Sequence, residues 1–168
     1  MSGRRRTPKL LGQEELYWYA VKALAARARS IAELRRMLER RAERNEEVRP
    51  VLGRLKEQGY LNDERFAQAF ALARLENQRL GRTRVVHDLR LRLVAPEVAE
   101  RAARKAYIGV DEAQLLRKHL AARLRRSGPP DTPRKIASLY RALRRAGFSH
   151  AAIFPQLRHL KADPELLA

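Results

Sequence analysis

The side chains that could carry acid–base or metal chemistry in this chain are four histidines and 19 carboxylates, and their spacing suits neither task. His87, His119, His150 and His159 never fall in the H-x-x-x-H or H-E-x-x-H arrangement that sets two imidazoles on one helix face around a metal. His87 and Asp88 are adjacent and diverge on a helix. Asp63 and Glu64 stand at a helix start, where capping accounts for both. There is no glycine-rich phosphate loop, and without cysteine there is no thiolate nucleophile, disulfide framework or cysteine zinc site. An enzyme is not expected, and neither a metal nor a cofactor.

What remains is anion recognition. The 37 basic residues, 30 of them arginine, give a formal charge of +18, and the planar guanidinium fork matches phosphate and carboxylate oxygens. A polyanionic partner would relieve that self-repulsion. Residues 1–61 carry 15 bases and 8 acids, residues 62–109 carry 10 and 6, and residues 110–168 carry 12 and 5. Between positions 114 and 146 the densest cluster, Arg117, Lys118, Arg123, Arg125, Arg126, Arg134, Lys135, Arg141, Arg144 and Arg145, faces a single acid, Asp131. Arg35, Arg36, Arg40 and Arg41 form a second group, and Arg82, Arg84, Arg90 and Arg92 a third. These cations are the expected anion-facing surface. The competing reading makes each one the solvated face of an amphipathic helix.

The elements that must position these cations are helices. Apolar residues recur three and four apart, as in Tyr17, Val21, Leu24 and Ala28, and even "RTRVVHDLRLRLV" spaces Val85, Leu89 and Leu93 by four. Start and stop signals predict helices near 13–28, 31–42, 46–58, 63–77, 83–93, 97–106, 111–126, 133–146 and 150–160. Ser30 with Glu33 is a capping box, and Thr132 or Asp131 followed by Pro133 begins another helix. Gly59 and Gly147 stop helices in the left-handed conformation. Phe148 then folds back on Leu143, and Tyr60 on Leu55. Asn62 or Asp63 caps the helix that follows. Of the consecutive aromatics Tyr17, Trp18 and Tyr19, Trp18 and one tyrosine are expected to pack between helices. Tyr140 is the better candidate for stacking on a base.

Nine helices fall into three sets of three. Leu38, Leu89 and Leu143 in the second helix of each set lie 51 and 54 residues apart. The fold class expected is therefore all-α, an elongated and curved array of three tandem three-helix repeats over 13–61, 62–109 and 110–168, after a disordered basic arm at 1–12. No apolar run approaches the roughly 18 residues that span a bilayer, and the basic N-terminus lacks an apolar signal core, so no membrane contact and a cytoplasmic location are expected.

The stretch "LYWYAVKALAARARSIAELRRMLERR" followed by "VLGRLKEQGYLNDERFAQAFALAR" resembles the RecX family of regulatory proteins. Ser30, Glu33, Leu34 and Leu38 fill its first motif, and Gly59, Tyr60, Leu61, Asp63, Phe66 and Ala67 its second. The likeness is strongest over residues 16 to 75, continues in "LGRTRVVHDLRLRL" and returns in "LRRAGFSHAAI". Two turns depart from the family pattern: "AERN" (Ala42 to Asn45) and Leu93 replace glycines. The resemblance implies three tandem three-helix repeats and a monomeric, non-enzymatic modulator of the RecA recombinase. Such a modulator lies along the groove of the RecA filament on single-stranded DNA and restrains its ATPase, strand-exchange and coprotease activities. Single-stranded DNA and duplex DNA are further expected ligands. Two other classes fit the composition: a helix-turn-helix DNA reader using "SIAELRRMLERR" or "TPRKIASLYRALRRAG", and a helical adaptor that needs no nucleic acid.

Overall fold

Apolar residues at helical spacing, cut by caps and glycine stops, produce nine α-helices among residues 10–162, the part of the chain described by a computed structural model. Most of the expected basic arm, residues 1–9, lies outside the described residues. The helices are α1 Gln13–Ala26, α2 Ile31–Glu39, α3 Val48–Glu57, α4 Asp63–Gln78, α5 Arg82–Leu91, α6 Pro96–Ala106, α7 Glu112–Ser127, α8 Pro133–Arg145 and α9 His150–Ala162. They form three sets of three, and the fold is all-α. No strand occurs among the described residues, only an isolated parallel bridge between Leu11 and Ala42. There the Leu11 N–H donates to the Arg41 carbonyl (2.7 Å), and the Leu11 carbonyl accepts from Glu43 (2.9 Å). A single 3-10 turn, Asn45–Glu47, leads into α3. Pro50 sits in the first turn of α3, where its missing N–H costs no helical bond.

The helices divide between two compact units. One contains α1 to α3, continues to Phe66 and includes Arg92–Val94; the other holds Ala67–Leu91 and resumes at Ala95. In the first, Leu16, Tyr17, Leu34, Leu38, Val51, Leu52, Leu55 and Leu61 form one buried cluster. Each such side chain withdrawn from water contributes about 1.5–3 kcal/mol. At 100° per residue Tyr17 shares the inward face with Ala20, and Trp18 is carried outward. Trp18 is thus 58% exposed, which corrects the expectation that it packs between helices. The Tyr17 hydroxyl donates to Gln58 Oε1 at 2.7 Å, so the buried ring keeps its polar tip satisfied.

The two family motifs meet inside this unit. Ser30 is fully buried; its Oγ accepts from the Glu33 N–H (3.1 Å) and donates to the Arg92 carbonyl (2.5 Å). Glu33 Oε2 accepts from the Ser30 N–H (3.2 Å), which completes the predicted capping box. Asn62 caps α4 by accepting from the Arg65 N–H (2.9 Å). That leaves Asp63 free to accept from the Ile31 N–H (2.8 Å) and tie the two motifs together. Ser30→Ala removes a cap and orphans a buried carbonyl, and should lower stability by about 2 kcal/mol in urea titration.

Gly59 adopts φ +75° and ends α3 with the Tyr60 N–H on the Leu55 carbonyl (2.9 Å). The expected cover over Leu55 is different, however. Tyr60 is 54% exposed and it is Leu61, 4% exposed, that turns into the core, its own N–H also directed at the Leu55 carbonyl. Leu93 takes φ +59° where the family pattern has glycine. The chain holds a left-handed leucine there at a cost of roughly 1–2 kcal/mol.

In the second unit α5 packs on α6, with Val85, Leu89, Ala99 and Ala103 fully buried. Helices α7, α8 and α9 close over Leu116, Leu139, Leu143, Phe148 and Ile153. Gly147 ends α8 as predicted, with φ +92° and the Phe148 N–H on the Leu143 carbonyl (3.3 Å). Phe148 is 1% exposed.

Candidate nucleic-acid interface

The second unit gathers four arginines, one each from α4, α5, α7 and α8, around one recess. Helix α4 ends at Gln78, Arg79 turns left-handed (φ +51°), and the Leu80 carbonyl accepts from the Tyr107 hydroxyl. Burial pushes that phenol up to about 12, so it stays a donor at any physiological pH. The Gly81 N–H then donates to the Ala146 carbonyl at 2.8 Å, which brings the start of α5 against the end of α8. The result is a recess of about 360 Å³ whose walls include Arg74, Arg84, Asp88, His119, Arg123 and Arg145.

Asp88, with its carboxylate 7% exposed, is the only acid among the described residues of that lining. Arg84 Nε lies 2.7 Å from Oδ1 and Arg74 Nε 3.7 Å from Oδ2. Two arginines therefore balance one carboxylate, and each is anchored a second time: Arg84 Nη1 donates to the Arg145 carbonyl (3.2 Å) and Arg74 Nη1 to Gln78 Oε1 (2.6 Å). Arg123 and Arg145 make no ion pair among the described residues and leave the recess cationic. His119 Nδ1 is 3.3 Å from the Gln78 carbonyl. Burial, and then the charges of Arg123 and Arg126, lower its pKa, so the imidazole is neutral near pH 7. The site holds preorganised guanidiniums, no nucleophile paired with a base, and no group of three or more metal-ligating side chains among the described residues. Guanidiniums held in this way suit an oxyanion such as phosphate.

Of the predicted cations, Arg84, Arg123 and Arg145 converge on this recess. Arg117, Lys118, Arg125 and Arg126 are exposed along α7, and Arg134, Lys135, Arg141 and Arg144 along α8. Lys135 is tied to Asp131 (2.8 Å), and Arg144 Nη1 donates to the Phe148 carbonyl (2.8 Å). In the first unit Arg35 and Arg36 are exposed on α2 and Arg40 just past its end. Arg90 is exposed and 3.7 Å from Glu100. Arg92 departs from the expected surface role: its Nε lies 2.7 Å from Glu33, Nη2 donates to the Ala28 carbonyl (3.1 Å), and the guanidinium stands 5.5 Å from the Phe66 ring centre. Glu33 draws it inward because a partly buried capping carboxylate favours a cation beside it. Arg84 is likewise partly committed, to Asp88.

Arg74, Gln78, Asp88 and His119 were not predicted as site residues. The i, i+4 spacing of Arg74 with Gln78 and of Arg84 with Asp88 is visible in the sequence, but only packing shows that the two pairs face each other. Asp88→Asn raises the recess by one charge while removing a buried counter-ion. It should tighten binding of a single-stranded oligonucleotide severalfold at low salt and lower stability by about 1–2 kcal/mol, opposite signs in one variant.

Residues 62–102 match the family model described as the second three-helix domain of RecX. The "Regulatory protein RecX" of Deinococcus radiodurans is 37% identical over 164 residues, covering 94% of this chain and 74% of that protein. The protein of the same name from Amycolatopsis mediterranei is 33% identical, over 86% and 84% of the two chains. The crystal structure of RecX from Lactobacillus salivarius superposes with a TM-score of 0.67 at 20% identity, over 90% of this chain and 97% of that one, and so shares its fold. The chain belongs to the RecX family of regulatory proteins.

Proposed function

We propose that this chain modulates, most directly by inhibition, the RecA recombinase by lying along the groove of the RecA filament on single-stranded DNA. There it restrains ATP hydrolysis, strand exchange and coprotease activity. The observation that carries the reading is the near full-length likeness to proteins named as RecX regulators. The arginine recess and the +18 charge support it, since a nucleoprotein filament presents both phosphates and acidic protein surface to a groove ligand. No catalytic step is assigned to the chain itself; it acts as a monomer by occupying a surface and biasing the filament's state.

Sedimentation of RecA filaments formed on single-stranded DNA with a non-hydrolysable nucleotide tests the placement. The chain should pellet with the filament at a fixed stoichiometry and be displaced little by random duplex DNA. If it stays in the supernatant, or is competed away by one duplex sequence far better than by others, the filament reading fails and a sequence reader takes its place.

A further inference from the structure

A second surface of the same unit is unlike the arginine recess. Helices α8 and α9 enclose a groove of about 820 Å³ lined by Ile136, Tyr140, Arg141, Phe154, Leu157 and Arg158 among others. Phe154 is 51% exposed, and with Ile136, Tyr140 and Leu157 beside it in this lining it belongs to an apolar patch rather than standing alone. The aromatic rings form a connected series. The Tyr140 and His150 centroids are 5.9 Å apart at 75°, those of His150 and Phe154 are 5.6 Å apart at 38°, and the Tyr140 hydroxyl lies 3.1 Å from His150 Nδ1. The Arg158 guanidinium stands 5.8 Å from the Phe154 centroid, and Arg141 is exposed on the α8 side.

Charge decides which partner fits. From Thr132 to Ala162 the chain contains no aspartate or glutamate, so both walls of the groove belong to an acid-free stretch that includes Arg134, Lys135, Arg141, Arg144, Arg145 and Arg158. A neutral apolar partner would leave these cations, apart from Lys135 on Asp131, without counter-charge, and duplex DNA keeps its base faces stacked inside. A single strand offers both requirements at once, unstacked base faces for the rings and a phosphate for each arginine.

We infer that the α8–α9 groove is a base-stacking platform for single-stranded nucleic acid, with Phe154 and Tyr140 receiving bases and Arg141 and Arg158 the flanking phosphates. The inference deepens the filament reading by naming where the single strand is touched, yet it concerns free oligonucleotide and can be tested without the recombinase. Base stacking on one aromatic side chain is worth about tenfold in affinity, and it is largely indifferent to salt.

The test is the affinity of the full chain for oligo(dT) and for an abasic oligomer of equal length and charge, measured for the wild type, Phe154→Ala and Phe154→Leu. Circular dichroism checks that each variant is folded, and Phe154→Leu keeps an apolar side chain there should Phe154→Ala fail to fold. Expected is a preference for oligo(dT) approaching a hundredfold in the wild type, about tenfold from each ring, that both variants cut by about tenfold, with abasic binding unchanged. Equal wild-type affinity for the two oligomers overturns the inference, as does a variant that weakens both equally. Displacement of bound oligo(dT) by nothing but an acidic amphipathic helical peptide, with the base preference absent, assigns the groove to a protein partner instead. Failure to sediment with RecA filaments leaves these outcomes untouched, so the two readings fail separately.

Discussion

Gly147→Ala should lower the melting temperature by roughly 10 °C and weaken single-strand binding with it. A Cβ at Gly147 would stand 2.4 Å from the Arg84 backbone nitrogen, 2.6 Å from Arg84 Cβ and 2.7 Å from the Gly81 carbonyl oxygen, on a backbone with φ +92°. The conformation alone costs about 1–2 kcal/mol, and forcing backbone segments apart in a packed site adds about 1–3. A total near 3–4 kcal/mol, at about 2–4 °C per kcal/mol for a chain of this size, gives the shift. The same contact carries the Gly81 N–H to the Ala146 carbonyl and seats Arg84 beside Arg145, so separating the segments also opens the arginine recess. Gly59 supplies the contrast. It too has positive φ, +75°, but nothing lies within 4 Å of its would-be Cβ, so Gly59→Ala should cost only the conformational part, about 1–2 kcal/mol. Scanning calorimetry of the two variants side by side checks the difference; equal shifts would contradict the close-approach account.

The second large effect is electrostatic. Arg123→Gln with Arg145→Gln removes the two recess cations that have no ion pair among the described residues, and leaves Arg74, Arg84 and Asp88 to hold the walls. Each lost phosphate contact on a single strand reduces the salt slope by about 0.7 and, at 0.1 M salt, the affinity by about fivefold, so the double variant should bind oligo(dT) roughly 25-fold more weakly. The slope of log affinity against log salt should fall by about 1.4, and the melting temperature should hardly move. Arg35→Gln with Arg36→Gln, exposed on α2 in the other unit, serves as the comparison. If that pair matters as much as the recess pair, binding follows net charge and the recess has no special part in it.

Much of this was legible in the residue order because the relevant physics is local. Ser30 with Glu33, Pro133 after Thr132 and glycine at 59 and 147 are caps and stops that depend on three or four neighbours, and they form as read. Side-chain destinations were legible only in part. Tyr60 and Leu61 both follow a left-handed glycine, and which one turns inward depends on the tertiary surface each meets. Trp18 is the largest apolar side chain of its helix but lies on the outward arc, where size could not bring it in. Arg92 resembles every other arginine in a basic helix until Glu33, 59 positions earlier, is found beside it. The recess was illegible for the same reason, since its walls come from α4, α5, α7 and α8 and its acid, Asp88, looks solvent-facing in a helix so rich in charge.

ATP hydrolysis by RecA on circular single-stranded DNA, followed while this chain is titrated in, is the most direct measurement of the central claim. Hydrolysis should fall progressively and reach its floor by one chain per recombinase subunit, and the Arg123→Gln, Arg145→Gln variant should need markedly more protein for the same effect. Hydrolysis unchanged at a full equivalent of folded chain, under salt conditions where the filament itself is intact, would contradict the account.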